Sequence, residues 1–210
     1  MRKDEFIKLN IALSLPKEVC DEAVKVSQNI HQLSPAAFTL DNKTLFPHIT
    51  IYFAEFPQKN LPKIVRAVSN VVMNQHPFVL SFKSFKTESG YVNIILEKTE
   101  TIRSIHENVV RSVNPFREGH LREKYRASSL FLNQFSDKER SFIIQYGCPF
   151  LMDLYRPHLT VSFIEDFRIA GNISRGLLWE SKTCTIDKIS IYTIGEYGTC
   201  TGVVKEFPLQ

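Results

Sequence analysis

Two short stretches of this chain carry side chains from which chemistry could be built: "PHITIYF", Pro47 to Phe53, and "PHLTVSF", Pro157 to Phe163. Each is a short aliphatic run with a period of two and reads as a strand. Alternation puts His48, Thr50 and Tyr52 on one face and Ile49, Ile51 and Phe53 on the other. The second copy sets His158, Thr160 and Ser162 against Leu159, Val161 and Phe163. One face of each strand suits a core, and Phe53 and Phe163 are expected in it. The other face bears an imidazole and a hydroxyl.

A lone histidine on a strand is usually packed or solvated, but two in the same seven-residue frame point to a shared role. If the two polar faces meet, the site holds two imidazoles and two hydroxyls. Imidazole has an unperturbed pKa of about 6.5, so one copy can take a proton and the other give one near neutral pH. Opening a phosphodiester needs both transfers, and two threonine hydroxyls can hold the non-bridging oxygens. Either imidazole fits either role. This chemistry needs no metal and no other cofactor, and there is no Walker loop, HExxH string or Cys/His zinc spacing.

The elements that must position these residues follow from periodicity and punctuation. "FIKLNIALSL" (6–15) reads as a strand, and Pro16 opens a helix with Val19, Ala23, Val26 and Ile30 on one face. A loop leads to the first motif strand, and a helix is expected over 61–75. "FVLSFKSFK" and "YVNIILE" around Ser89-Gly90 read as a hairpin, followed by helices over 101–113 and 137–146. After the second motif come a helical or irregular piece to Trp179, one strand over "TIDKISIYTIG", and a closing strand, "GVVKEFPL". The order strand, helix, motif strand, helix, strand occurs twice, about 6–87 and 91–194, with a closing strand near 200–208. One α+β domain over 1–210 is expected, its halves facing each other, with an insertion over 114–157.

Composition agrees with an ordered globular chain: 43% hydrophobic and 23% charged over 210 residues, with 16 Phe and eight Gly. No run approaches the roughly 18 apolar residues of a membrane span, and the first residues read as a strand, not a signal peptide. Cys20, Cys148, Cys184 and Cys200 are scattered, as suits free thiols in a reducing compartment, so a soluble cytoplasmic protein is expected. A monomer is the default expectation, since oligomeric state leaves no clear mark in the sequence. The net charge of +4 tolerates a phosphate-bearing partner. Arg117, Arg122 and Lys124 face only Glu118 and Glu123 between Arg111 and Arg126, so this segment is either a solvated loop or the rim where an anion lands.

With its two "PHxT" strands, its first strand and its closing "IDKISIYTIGE…VVKEFPL" pattern, the chain resembles the 2H phosphoesterase superfamily. That superfamily includes the 2′-5′ RNA ligase-like proteins and RNA 2′,3′-cyclic phosphodiesterases. The resemblance implies two antiparallel sheets facing a central cleft with helices outside. It makes His48 and His158 the acid/base pair and Thr50 and Thr160 the phosphate binders. Several members carry a basic residue just after the second motif; here Ser162 to Glu165 supply none, and Arg156 offers a charge from the other side.

Tyr52, Tyr155, Arg156 and Ser162 are candidates for substrate contact, either tyrosine by stacking on a base. His31, His76, His106 and His120 lack the motif's context and read as surface or helix residues. The expected function is a hydrolase opening 2′,3′-cyclic phosphates of RNA ends or nucleotides. The same pair could serve a 2′-5′ linkage, ligation or a cyclic dinucleotide, and a nucleotide-binding module with little turnover is the alternative from another class.

Overall fold

The computed structural model describes residues 5–126 and 132–210; residues 127–131 of the expected insertion lie outside the described residues. The strands are β1 (Phe6–Ser14), β2 (His48–Pro57), β3 (Phe78–Glu88), β4 (Tyr91–Leu96), β5 (His158–Phe163), β6 (Thr183–Ile186), β7 (Lys188–Ile194) and β8 (Cys200–Pro208). The helices are α1 (Lys17–Leu33), α2 (Leu61–Val72), α3 (Glu100–Val113), α4 (Glu123–Arg126), α5 (Asp137–Tyr146) and α6 (Phe167–Gly176).

Local chemistry explains the boundaries. Pro16 stands at the N-cap of α1 in extended conformation, and α1 buries Val19, Cys20, Ala23, Val26, Ser27 and Ile30 at helical spacing. The Thr99 side chain accepts from the Ile102 amide to start α3. Ser136 and Glu139 form a reciprocal capping box on α5, which ends at Gly147 in the left-handed region. Between β3 and β4, Ser89 and Gly90 both have positive φ, as a tight hairpin demands. A Cβ on Gly90 would stand 2.5 Å from the Ile164 carbonyl, so glycine also allows this turn to meet the end of β5.

All eight strands join in one antiparallel sheet, in the order β6-β3-β4-β5-β2-β1-β7-β8. The two expected sheets are the halves of this curled sheet, β6-β3-β4-β5 and β2-β1-β7-β8. A single residue pair, Ile49 with Leu159, joins them, and the β2 and β5 ladders part beyond it. β3, which ends the first sequence repeat, pairs with β4; β7, which follows the second motif, pairs with β1. The halves thus exchange a strand, which ties them into one body.

One expectation is corrected here. "TIDKISIYTIG" is two strands: the chain breaks at Asp187, and β6 pairs with β3 at one end of the sheet while β7 pairs with β1 near the other. A continuous alternating pattern cannot reveal a change of partner.

One face of the sheet meets α1, α2 and α3 in a continuous core that contains Leu9, Ile11, Leu13, Ile49, Ile51, Val92, Ile94, Leu159 and Val161. The opposite face carries a small separate cluster, Ala12, Tyr192 and Cys200, flanked by Phe46 and Ile194. This second face holds the motif side chains. No helix among the described residues is long and apolar enough to cross a membrane.

Candidate active site

Register fixes which side chains share a face, because residues paired across antiparallel strands point the same way. Along β1 and β2, Ser14 pairs with His48, Ala12 with Thr50 and Asn10 with Phe53. Along β4 and β5, Ile95 pairs with His158, Asn93 with Thr160 and Tyr91 with Phe163. The Ile49–Leu159 pair is antiparallel, so His48 stands across from Thr160 and Thr50 across from His158. The four motif side chains form a square where the two halves meet.

Both motif strands contain a β-bulge just after the threonine. The β1 register passes from Ala12–Thr50 to Ile11–Tyr52 and leaves Ile51 extra; the β4 register passes from Asn93–Thr160 to Val92–Ser162 and leaves Val161 extra. An extra residue reverses the alternation. Tyr52 and Ser162 therefore enter the core, both 0% exposed, while Phe53 and Phe163 turn onto the cleft face and are half-buried. This corrects three expectations at once: Tyr52 and Ser162 are not placed to touch a substrate, and Phe53 is not core, while Phe163 is half-buried at the core's edge. Tyr52 donates its hydroxyl toward Asn114 Oδ1 and the Tyr146 carbonyl, and the Ser162 hydroxyl has no hydrogen-bond partner among the described residues.

Tyr155 is also corrected. It is buried, its hydroxyl donates to the Thr50 carbonyl at 2.9 Å, and its ring stacks on His106 at 3.9 Å between centroids, 2° from parallel. His106 lies in helix α3, one of the two settings expected for it; it is fully buried, bonds the Ile51 carbonyl through Nδ1 at 2.7 Å, and accepts from the Met152 amide at Nε2. Beyond Ile49, β2 has parted from β5, so these carbonyls lack ladder partners, and the stacked pair satisfies them. Arg156 is exposed, and its carbonyl meets the His158 ring.

That carbonyl gives the histidines their tautomer. His48 Nδ1 lies 2.8 Å from the Phe46 carbonyl, and His158 Nδ1 lies 2.8 Å from the Arg156 carbonyl. A carbonyl only accepts, so Nδ1 carries the hydrogen in both rings and Nε2 keeps its lone pair. The proline of each motif, between carbonyl and histidine, favours the extended backbone that sets up this contact. Burial pushes His48 down to about 4; the proximity of His158 adds to the shift, and the bond to the Phe46 carbonyl opposes it.

The threonines have asparagine partners. Asn10 Nδ2 donates to Thr50 Oγ1 at 2.8 Å, and Thr160 Oγ1 donates to Asn93 Oδ1 at 2.8 Å. Motif analysis missed both asparagines, although the signal was present: "LNI" at 9–11 and "VNI" at 92–94 repeat a polar residue inside apolar strands.

Beyond the square, the cleft face is aromatic. The Phe163 ring lies 4.7 Å from Tyr91 and 4.9 Å from Tyr197, which is 39% exposed on the β7–β8 turn. The Arg122 guanidinium lies 4.4 Å from the centroid of Phe53 and 4.7 Å from that of Tyr125, contacts of about 0.5–2 kcal/mol each. A separate groove between α1 and residues 176–181 is lined by Glu18, Asp21 and Glu22, a poor setting for phosphate. Among the described residues, no three His, Cys, Asp or Glu side chains are grouped to hold a metal ion.

Comparison with known proteins agrees with this architecture. The 2′-5′ RNA ligase superfamily model matches residues 21–198. The chain therefore belongs to the 2′-5′ RNA ligase superfamily, within the 2H phosphoesterases. Among solved structures, it is similar to E. coli LigT complexed with phosphate at 12% identity and a TM-score of 0.57, over 98% of this chain and 99% of that one. TT0787 of Thermus thermophilus matches at 13% identity and a TM-score of 0.59, over 97% and 98%. At these identities the likeness is one of fold. No curated protein sequence matches.

Proposed function

We propose that this protein is a metal-independent phosphodiesterase that opens 2′,3′-cyclic phosphates at RNA ends or on nucleotides. The observation that carries this reading is the square at the Ile49–Leu159 junction, in which two imidazoles with free Nε2 atoms flank two hydroxyls. Membership of the phosphoesterase superfamily supports it, as do the structures of the similar LigT with phosphate and with 3′-AMP, a phosphomonoester.

Burial keeps the His48 ring neutral at pH 7, the form in which Nε2 can accept a proton. Its Nε2 takes a proton from water as the water oxygen bonds to phosphorus. The bond from phosphorus to one ribose oxygen breaks, and that oxygen takes a proton from the His158 imidazolium. The product is a terminal phosphomonoester, and proton exchange with solvent resets both rings. Thr50 and Thr160 bear on the non-bridging oxygens as charge builds there. Phe163, Tyr91 and Tyr197 offer a surface for a base to stack on, which holds a nucleotide without reading its sequence.

The test is turnover, in EDTA, of 2′,3′-cyclic AMP, a cyclic-phosphate-ended RNA, a 2′-5′ dinucleotide and a cyclic dinucleotide. The His48→Ala/His158→Ala double variant runs beside the wild type. Turnover of a cyclic phosphate that disappears in the variant is expected. Turnover that survives in the variant, or a folded wild type silent on both cyclic phosphates, would sink the proposal.

A further inference from the structure

A basic side chain from a remote part of the chain reaches the cleft. Arg122, which precedes α4, reaches the cleft face of β2 and lies over Phe53. Its Nη2 donates to the Tyr125 hydroxyl at 2.7 Å, while its Nε is buried and has no hydrogen-bond partner among the described residues. Among the described residues it forms no ion pair. Its charge also bears on the Tyr91 hydroxyl of the facing half. A half-buried guanidinium held by aromatic rings, with no carboxylate partner among the described residues, is poised for an anion from outside.

Register gives its position relative to the square. Thr50 pairs with Ala12 and Phe53 with Asn10, so Phe53 stands two β1 residues, or about 7 Å, further along the cleft. That is the step between successive phosphates in an extended single strand. We propose, resting on the phosphodiesterase reading above, that Arg122 receives the phosphate one nucleotide removed from the reacting one. The preferred substrate class is then an oligonucleotide end, not a mononucleotide.

The test compares ligands with one and two phosphates. Calorimetry measures binding of 3′-AMP and of ApAp, the dinucleotide with an internal phosphodiester and a terminal 3′-phosphate. Turnover is measured on 2′,3′-cyclic AMP and on the matching dinucleotide cyclic phosphate. The wild type should favour the two-phosphate member of each pair. Arg122→Ala should cut that preference about tenfold or more, the scale of one charge-assisted contact. Arg122→Lys, which keeps charge and stem, should restore part of it, and thermal melting confirms that both variants are folded. The preference should also weaken with salt, with a slope about one smaller in Arg122→Ala. A wild type without preference, a ratio unchanged by Arg122→Ala, or a preference insensitive to salt would each overturn the proposal. If nothing is turned over yet ApAp is favoured through Arg122, the phosphodiesterase reading falls and the Arg122 site stands.

Discussion

The β1–β2 and β4–β5 halves of the site share one plan: a proline-set histidine, a threonine with an asparagine, a bulge, and a phenylalanine turned into the cleft. Their surroundings differ. In the first half, burial holds His48 down to about 4, and the Tyr155–His106 stack clamps the carbonyls of Thr50 and Ile51. In the second half, the Phe163 carbonyl takes the Ala37 amide instead, and Tyr91 and Tyr197 crowd the Phe163 ring. A duplicated motif thus sits in two different environments because its supports are not duplicated. Under the proposed mechanism, identical side chains become base and acid, and the two phenylalanines border the proposed anion site and stacking wall, through what each half packs against them.

The largest expected effect breaks the pair itself. His48→Ala and His158→Ala should each lower kcat by about 10²- to 10⁴-fold, with circular dichroism unchanged. The double variant should lose little more than either single one, since the two residues act in one proton relay. Full activity in either single variant would mean that only one half does chemistry.

The pH dependence sharpens the contrast between the halves. His48 and His106 are both held down to about 4 by burial. The unfolded chain protonates such groups at about 6.5, so their stabilisation is complete above that pH and declines as pH falls toward 4. The decline should reach at most about 1.4 kcal/mol per pH unit for His106, and less for His48, which is partly in solvent. Urea unfolding at pH 7, 5.5 and 4.5 measures it, and His106→Gln should flatten the curve. With His48 as base, the acid limb of kcat/KM should lie near pH 4, where protonation removes its lone pair. A limb near pH 6.5 would remove the distinction drawn for His48.

Much of this site was legible in the sequence, because alternation and repetition are local signals. The motif pairing, β1, α1, the β3–β4 hairpin and the 137–146 helix all follow from such patterns. The bulges at Ile51 and Val161 do not: a strand shows an extra residue only against its partner's register. That one gap misplaced Tyr52, Ser162 and Phe53 together, and hid that Phe163 sits at the core's edge. Arg122 was within the basic segment noted as a possible rim, but its arrival over Phe53 depends on tertiary folding. Asn10 and Asn93 differ from these, since their repeated setting could have been read from the residues alone.

A smaller effect is expected at the clamp. Tyr155→Phe removes one hydroxyl and leaves the Thr50 carbonyl without that partner, at a cost of about 1–3 kcal/mol of stability. kcat should fall modestly as well, because the freed carbonyl lies on the backbone that aims Thr50. Chemical denaturation and steady-state kinetics give the two readouts. Unchanged values in both would mean that the first half is not clamped as the contacts indicate.

The smallest expected difference separates the two threonines. Thr50 accepts from Asn10, so its own hydrogen is free for a phosphate oxygen; Thr160 spends its hydrogen on Asn93. Thr50→Val should therefore lower kcat/KM by about tenfold or more, the worth of a hydrogen bond to a charged group. Thr160 must give up one bond to form another, so Thr160→Val should cost only about two- to fourfold, from the difference between a charged and a neutral contact. Equal losses would show that both hydroxyls turn to the phosphate during turnover. The asymmetry of the halves would then belong to the resting protein, and the bound state would restore the symmetry of the motif.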